Sequence, residues 1–278
     1  MVIFAPRLFG GLKMIIIYIA LIIGAIALVI AYIGHRIFIA DLLNEFDRSN
    51  TITFGKIGRG KGLTTQYVIN HRKKPYYGNI SYSKEGDKKF IRQLETLKEV
   101  STDKNDYKNI VEGKIEATPH KFVEHSDIFI DDIGVYLPSY MDSLLYKYYP
   151  SMPILYAMSR QLYDMHIHCN TQSLERGWKA LREQADFYIK ACGTIKLFGF
   201  IFITKIITYD NYESAKKGVL PLKARFLNKY SKAEVDIYRA EHGEIKQGHI
   251  IQFKKSLHYD TRAFEKILLT GERLEYKK

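Results

Sequence analysis

The stretch that most narrows what this chain can fold into is Gly55–Thr65, "GKIGRGKGLTT", which follows directly on "TITF" (Thr51–Phe54). Thr51–Phe54 is β-branched and aromatic and predicts a buried strand, and Leu63–Asn70 can begin a helix. Strand, glycine turn and helix, in that order, form the setting in which backbone N–H groups converge on a concavity at a helix N-terminus and stabilise an anion. Gly55, Gly60 and Lys61 meet the spacing G-x-x-x-x-G-K. The glycines allow a tight turn and close approach, and the lysine brings charge to the β- and γ-phosphates of a nucleotide. The next residue of such a loop is ordinarily Ser or Thr, whose hydroxyl helps to hold Mg²⁺; here it is Gly62. Either the metal relies on water and an acidic strand, or Thr64 or Thr65 supplies the hydroxyl. The nucleotide-binding candidates are therefore Gly55, Gly58, Gly60, Lys61, Gly62, Leu63 and Thr64.

A nucleotide hydrolase also needs an acid at the end of a neighbouring buried strand. "DIFIDD" supplies two: Asp131 as the metal-side carboxylate, and Asp132 where the acid that polarises the attacking water is kept. That second place is more often Glu. Further on, "HCNTQ" predicts a strand whose end sets Gln172 against the γ-phosphate, to orient water or sense hydrolysis. Alternation along that strand puts His166 and His168 on one face and Cys169 on the other, so these three are not read as a metal cluster.

Met14–Gly34, "MIIIYIALIIGAIALVIAYIG", carries no charge. At about 1.5 Å per residue it can cross a hydrocarbon core of roughly 30 Å, and it exceeds a typical signal-peptide core of roughly 7–15 residues. Tyr18 and Tyr32 stand near its ends, where amphipathic rings favour the interface. Lysine and arginine are too evenly placed around it to set its orientation. The expected layout is a short extracytoplasmic segment over residues 1–13, a membrane helix over 14–34, a linker or short helical continuation over 35–50, and an ATPase domain over 51–278.

The net charge of +12 suits an anionic partner, nucleic acid or acidic lipid. Lys216, Lys217, Lys223, Arg225, Lys229 and Lys232 lie in a run with no acid between Ser214 and Ala233. Two cysteines, Cys169 and Cys192, signal no disulfide framework and fit a reducing compartment. Leu174–Ala185 reads as an amphipathic helix; "DFYIKAC" and Phe198–Asp210 read as further strands, and Ser151–Asp164 has helical character. Short apolar strands alternating with helices imply an α/β sheet.

Taken N- to C-terminally, "GKIGRGKG", "IFIDD", "HCNTQ" and "HYDTRAF" resemble the zonular occludens toxin-like ATPases of filamentous phage assembly, among the FtsK–HerA-type P-loop motors. The resemblance runs from about Thr51 to Phe264, its most telling pieces being Thr171-Gln172 and Tyr259-Asp260-Thr261. It implies a RecA-like P-loop core with a β-rich C-terminal tail and Mg²⁺-dependent hydrolysis of ATP. It also implies a homo-oligomeric ring at the cell inner membrane, with the ATPase domain cytoplasmic and phage coat or assembly proteins, or DNA, as partners. Arg160, Arg176 and Arg182 are candidates for a finger reaching a neighbour's site. Two features depart from the family: Gly62, and a membrane segment ahead of the ATPase domain. Both are similar to conjugative coupling proteins, so a DNA-translocating motor is the first alternative. A nucleotide-binding membrane scaffold with little turnover is the second.

Overall fold

The computed structural model describes residues 5–79, 89–93, 123, 125–148, 152–153, 156, 159, 164–222 and 230–257. Arg160, Lys223, Arg225, Lys229, the Tyr259–Thr261 motif and most of Ser151–Asp164 lie outside them. The chain divides into Met1–Leu42 and Leu43–Lys278.

The first unit is helical. Helix α1 runs from Ala5 to Arg48 without a break. Its portion Ile17–Arg48 is long and apolar enough to cross a membrane, with a mean hydropathy of 2.6 in its most apolar stretch. Leu21, Ile23 and Leu28 are all more than half exposed, as in a helix apolar on every side. Of the two expectations for residues 35–50, linker or helical continuation, the structure has the continuation as far as Arg48: no Gly or Pro between Gly34 and Arg48 stops it, and apolar residues recur at helical spacing through Ile39, Leu42 and Phe46.

The second unit is built on a mixed sheet of eight strands: β1 Thr51–Phe54, β2 Tyr76–Gly78, β3 Phe90–Gln93, β4 Asp127–Ile130, β5 His166–Thr171, β6 Phe187–Leu197, β7 Ile201–Tyr209 and β8 Ile245–Phe253, in the order β3-β2-β4-β5-β1-β6-β7-β8. The first six in that order are parallel to one another; β7 is antiparallel to β6 and to β8. Strands β1, β4 and β5 are buried along their whole length, as parallel strands covered on both faces must be. Helices α2 (Lys61–His71), α3 (Ile133–Tyr136), α4 (Asp142–Tyr148), α5 (Lys179–Arg182), α6 (Tyr212–Lys217) and α7 (Lys232–His242), with short 3₁₀ turns, complete the described elements. This is the α/β core with a mostly parallel sheet expected from the sequence, with β6–β8 as its β-rich part. The central strand β1 feeds the glycine loop, and β5 and β4 lie successively beside it. The carboxyl ends of these three strands therefore share one crevice, the usual ligand site of open parallel sheets.

Two local expectations give way to packing. Leu174–Ala185 is not one helix: a 3₁₀ turn at Leu174–Arg176 and the single turn α5 flank Gly177 and Trp178. Trp178 is fully buried and donates to Asp142 (2.7 Å), and a side chain at Gly177 would meet Ile133 Cδ1 at 2.7 Å. The chain extends there to seat the indole. The strand read from Phe198 begins at Ile201, because Phe198–Phe200 make the β6–β7 turn.

Candidate functional site at the carboxyl ends of β1, β4 and β5

The loop between β1 and α2 closes tightly against the sheet. Gly55 has φ 150° and a Cβ there would lie 2.5 Å from the Ala191 carbonyl oxygen; Gly60 has φ 99° and a Cβ would meet Thr194 Oγ1 at 2.3 Å. Only glycine satisfies both the backbone and the space at these positions. Gly58, also at positive φ, lies between them at the open tip. Lys61, Gly62 and Leu63 form the first turn of α2, whose N–H groups have no partner within the helix. Lys61 folds back over the loop, its ammonium donating to the Gly55 carbonyl (2.7 Å) and standing 3.4 Å from that of Lys56. Burial lowers its pKa, and the Asp131 and Asp132 charges oppose that shift. The lysine, both acids and the loop are thus electrostatically one site.

Asp131 is held from two directions. Asn79, just past β2, accepts from the Asp131 backbone N–H (2.8 Å) and donates to its carbonyl (2.9 Å). Asn170 on β5 donates Nδ2–H to Asp131 Oδ1 (2.8 Å). A carboxylate only accepts, so the amide must present its nitrogen here and its oxygen elsewhere. That oxygen receives Thr65 Oγ1–H at 3.0 Å. The relay Thr65–Asn170–Asp131 ties α2 to the acid.

Asp132 stands at φ 53°, ψ 53°, the N-cap position of α3, a left-handed conformation that Asp tolerates better than most residues. Burial, then the Asp131 charge, raises its pKa; Lys61, a hydrogen bond from Gln172 and the Arg176 charge pull the other way. Gln172 in turn accepts from Arg176 Nη1 (2.8 Å). Arg176 thereby acts on the site of its own chain, and Arg182 donates to the carbonyl of Glu175 (2.9 Å) and approaches that of Leu174 (3.3 Å), also within its own chain. Neither Thr64 nor Thr65 offers a free hydroxyl: Thr64 donates to the Gly60 carbonyl (3.0 Å), Thr65 serves Asn170, and both side chains are buried.

A cleft of about 890 Å³ opens between the loop and the ends of β5 and β6; Lys56, Arg59, Arg176, Lys190 and Lys216 line it against the single acid Glu175. This is a basic chamber continuous with the glycine loop, fit for a polyanion. Mg²⁺ keeps several waters and is held through one or two carboxylates plus substrate phosphates. The residues present fit that requirement, with Asp131 as the oriented carboxylate and no hydroxyl from position 62.

Of the residues expected from the sequence, the fold brings Lys61, Asp131, Asp132 and Gln172 close to one another. Sequence reasoning missed Asn170, Asn79 and the Arg176–Gln172 contact. Period-two alternation from His166 and His168 put Asn170 on their face, the one signal available; Asn79 follows a strand whose pairing only the fold reveals. It missed as well a second polar cluster at the opposite ends of β4 and β5. There Asp127 Oδ2 takes Arg72 Nη1 at 2.5 Å, while Oδ1 lies 3.5 Å from His166 Nδ1 and 3.6 Å from Lys74 Nζ.

No protein-family pattern matches the sequence, and no curated protein matches it. Among solved structures, the chain is similar to the N-terminal domain of zonular occludens toxin from Neisseria meningitidis, at 12% identity over 78% of this chain and 98% of that one, with a TM-score of 0.38. It is also similar to the genome packaging NTPase B204 from Sulfolobus turreted icosahedral virus 2 in complex with ATP-gammaS, at 11% identity over 59% and 93%, with a TM-score of 0.35. Superpositions this loose leave the chain's own strand order and side chains to define its fold and its chemistry.

Proposed function

We propose that this chain is a membrane-anchored, Mg²⁺-dependent P-loop ATPase that powers assembly and extrusion of a phage particle at the inner membrane. The observation that carries the reading is the convergence of Lys61, Asp131, Asp132 and Gln172 on one glycine loop. The first-turn N–H groups of α2 and the Lys61 ammonium bind the β- and γ-phosphates of ATP. Asp131, oriented by Asn170 and Asn79, would hold Mg²⁺, which would supply charge neutralisation at the phosphates. Asp132, whose proton affinity is raised by burial, accepts a proton from the attacking water. Gln172, steadied by Arg176, orients that water and reports the loss of the γ-phosphate. Identical chains form a ring in which a neighbour completes each site. ATP is a cytoplasmic substrate, so the domain after α1 faces the cytoplasm.

The test is phosphate release by the purified full chain in detergent micelles or vesicles, with Mg²⁺ and without it. Release that needs Mg²⁺ and disappears in Lys61→Ala is the expected result; equal activity in the two chains would sink the assignment.

One observation favours a second reading. Gly62 brings no hydroxyl, and those of Thr64 and Thr65 are engaged within the fold. A scaffold that binds ATP with little turnover fits that deficit. Binding without hydrolysis, even with DNA or coat protein added, selects it. The basic cleft and the +12 net charge keep DNA as the alternative cargo. A steep fall of DNA affinity with salt, a log–log slope of about 0.7–0.9 per phosphate neutralised, selects that one.

A further inference from the structure

The far half of the β6–β7–β8 antiparallel ribbon leaves the core and presents an apolar face to solvent. Cross-strand neighbours share a face of a sheet, and the register aligns Ile195, Ile203 and Ile251 in one row and Leu197, Ile201 and Phe253 in the next. Ile195 is 63% exposed and Phe253 56%. At the tip, Phe198 is 83% exposed at φ 50°, Gly199 follows at φ 74°, and the Phe200 N–H donates back to the Leu197 carbonyl. This is a primed hairpin turn, whose positive-φ positions ordinarily hold Asn, Asp or Gly. Phenylalanine there is an outlier of backbone preference, and its ring is directed to solvent instead of to the core. A continuous exposed apolar patch of this kind marks an interaction surface.

Charge identifies the occupant. The outer part of the ribbon, Gly193–Lys205 and His249–Leu257, carries Lys196, Lys205, Lys254 and Lys255 and no acid. Lys205 pairs with His249 in the row next to the apolar rows, on the same face, and Lys254 and Lys255 follow Phe253 directly, both exposed. An aromatic tip with lysines behind it matches a bilayer surface: rings enter the interfacial layer and ammonium groups meet anionic headgroups.

We propose that the β6–β7 hairpin tip is a second membrane contact, seating on anionic lipid. This inference rests on reading α1 as a membrane span, since a tether holds the domain within reach of the bilayer. β6 and β7 also pack the glycine loop, Thr194 and Thr204 lying against Gly60.

The test is Phe198→Trp in the full chain, reconstituted into phosphatidylcholine vesicles with or without phosphatidylglycerol and with a doxyl quencher at headgroup-proximal depth. Trp178 is the chain's one tryptophan and is fully buried, so the parent chain supplies the baseline. Both leaflets have the same composition, so the direction of insertion does not matter. The expected result is a blue shift and quenching of the introduced indole in phosphatidylglycerol vesicles, with the parent's baseline in phosphatidylcholine alone. Lys254→Gln and Lys255→Gln should each lower the seated-to-free ratio about fivefold, because each lysine near an anionic surface contributes about that factor. Absence of quenching in both vesicles overturns the proposal. So does cross-linking of a Phe198→Cys chain to a second copy without quenching, which assigns the face to a subunit contact. Alkaline carbonate extraction reports on α1 separately: a chain that washes off denies the anchor, while quenching measured before the wash still decides the hairpin.

Discussion

At its start β4 places Asp127, 1% exposed, among Arg72, Lys74, His166 and His168; just past its end it places Asp131 and Asp132, half-buried, beside Lys61. The two ends lie one short strand apart and use the same residue type, yet their electrostatics are opposite. Burial alone would raise the pKa of Asp127, but the neighbouring His166 and His168 and the Arg72 charge outweigh it and hold the carboxyl far below its usual range. At the other end no such surplus of donors exists, and Asp132 is pushed up. A buried charge with several donors is structure; a half-buried charge crowded by another of its own sign is chemistry in waiting. His168 shows how closed the first end is. Arg72 can only donate, so His168 Nε2 accepts (3.2 Å) and its proton sits on Nδ1, toward Thr51 Oγ1 (2.9 Å). Phe46 and Phe129 pack on its ring. Arg72 also reaches Asp47 in the last turn of α1 (2.7 Å).

The comparison breaks if the closed end proves catalytic or the open end proves structural. Asp127→Ala leaves the buried Arg72 with only the more exposed Asp47 as a carboxylate partner and should cost about 3 kcal/mol of stability, read as a lowered urea midpoint. ATP turnover per folded molecule should stay near that of the parent. Lys61→Ala should do the reverse: turnover falls about 10²–10³-fold, the cost of deleting one preorganised donor at developing charge, and the urea midpoint holds. If Asp127→Ala loses activity while remaining as stable as the parent, the division between the two ends fails.

A pH titration sharpens the same contrast. Burial is the main cause that lowers the His168 pKa to about 4, from an ordinary 6.5. A folded pKa below the unfolded one means that the unfolded chain binds more protons between those values. Stability is then full above about 6.5 and is lost as pH falls through the window toward 4, by about 3 kcal/mol for this group. Asp127, also depressed, surrenders its contribution at lower pH still. Equilibrium unfolding at a series of pH values should show this slope, and His168→Gln should flatten it. An unchanged slope would place the titration elsewhere.

Asn170 is a positioning residue whose effect should be next in size. Deleting a hydrogen-bond partner of a metal ligand ordinarily costs about 10–100-fold in metal affinity or activity. Asn170→Ala should raise the Mg²⁺ concentration for half-maximal turnover by about tenfold or more. Thr65→Val should do the same to a lesser degree, and the double variant should be no worse than Asn170→Ala alone, because both act through one relay. Additive losses would mean that Thr65 and Asn170 act independently.

Much of this was legible in the sequence, and the unread part has a common cause. The β1 strand, the glycine loop, α2 and the acids after β4 are local: each is specified by residues within a turn or two of one another. The Leu174–Ala185 segment has helical periodicity but folds around the Trp178–Asp142 bond, a partner 36 positions away. The buried cluster was invisible for the same reason. Asp127, His166, His168 and Arg72 come from β4, β5 and the end of α2, and nothing in their spacing announces that the sheet order brings them together. His166 and His168 were correctly set on one face of a strand; what faces them was not available. Gln172 followed from its place in the series, whereas Asn170, two residues earlier, looked like one more strand residue until its amide was found between Thr65 and Asp131.

The smallest effect concerns position 62, where the open end of the sheet lacks a group that its chemistry ordinarily uses. Gly62 lies in the first turn of α2, so a side chain there meets helical backbone. The two candidate substitutes are both engaged, Thr64 with the Gly60 carbonyl and Thr65 with Asn170. If position 62 is where a hydroxyl meets the metal, Gly62→Ser supplies it and the Mg²⁺ requirement of turnover should fall a few-fold. Stability should rise by about 0.5 kcal/mol, because serine costs less than glycine in a helix. Thr64→Val is the control: it removes a back-bond within α2 and should leave the Mg²⁺ requirement unchanged. If Thr64→Val raises that requirement as much as Gly62→Ser lowers it, the Thr64 hydroxyl turns toward the metal when nucleotide binds. The open end would then rearrange on binding, in contrast to the closed end, where the Arg72–Asp127 pair and the His168 contacts are buried within the fold.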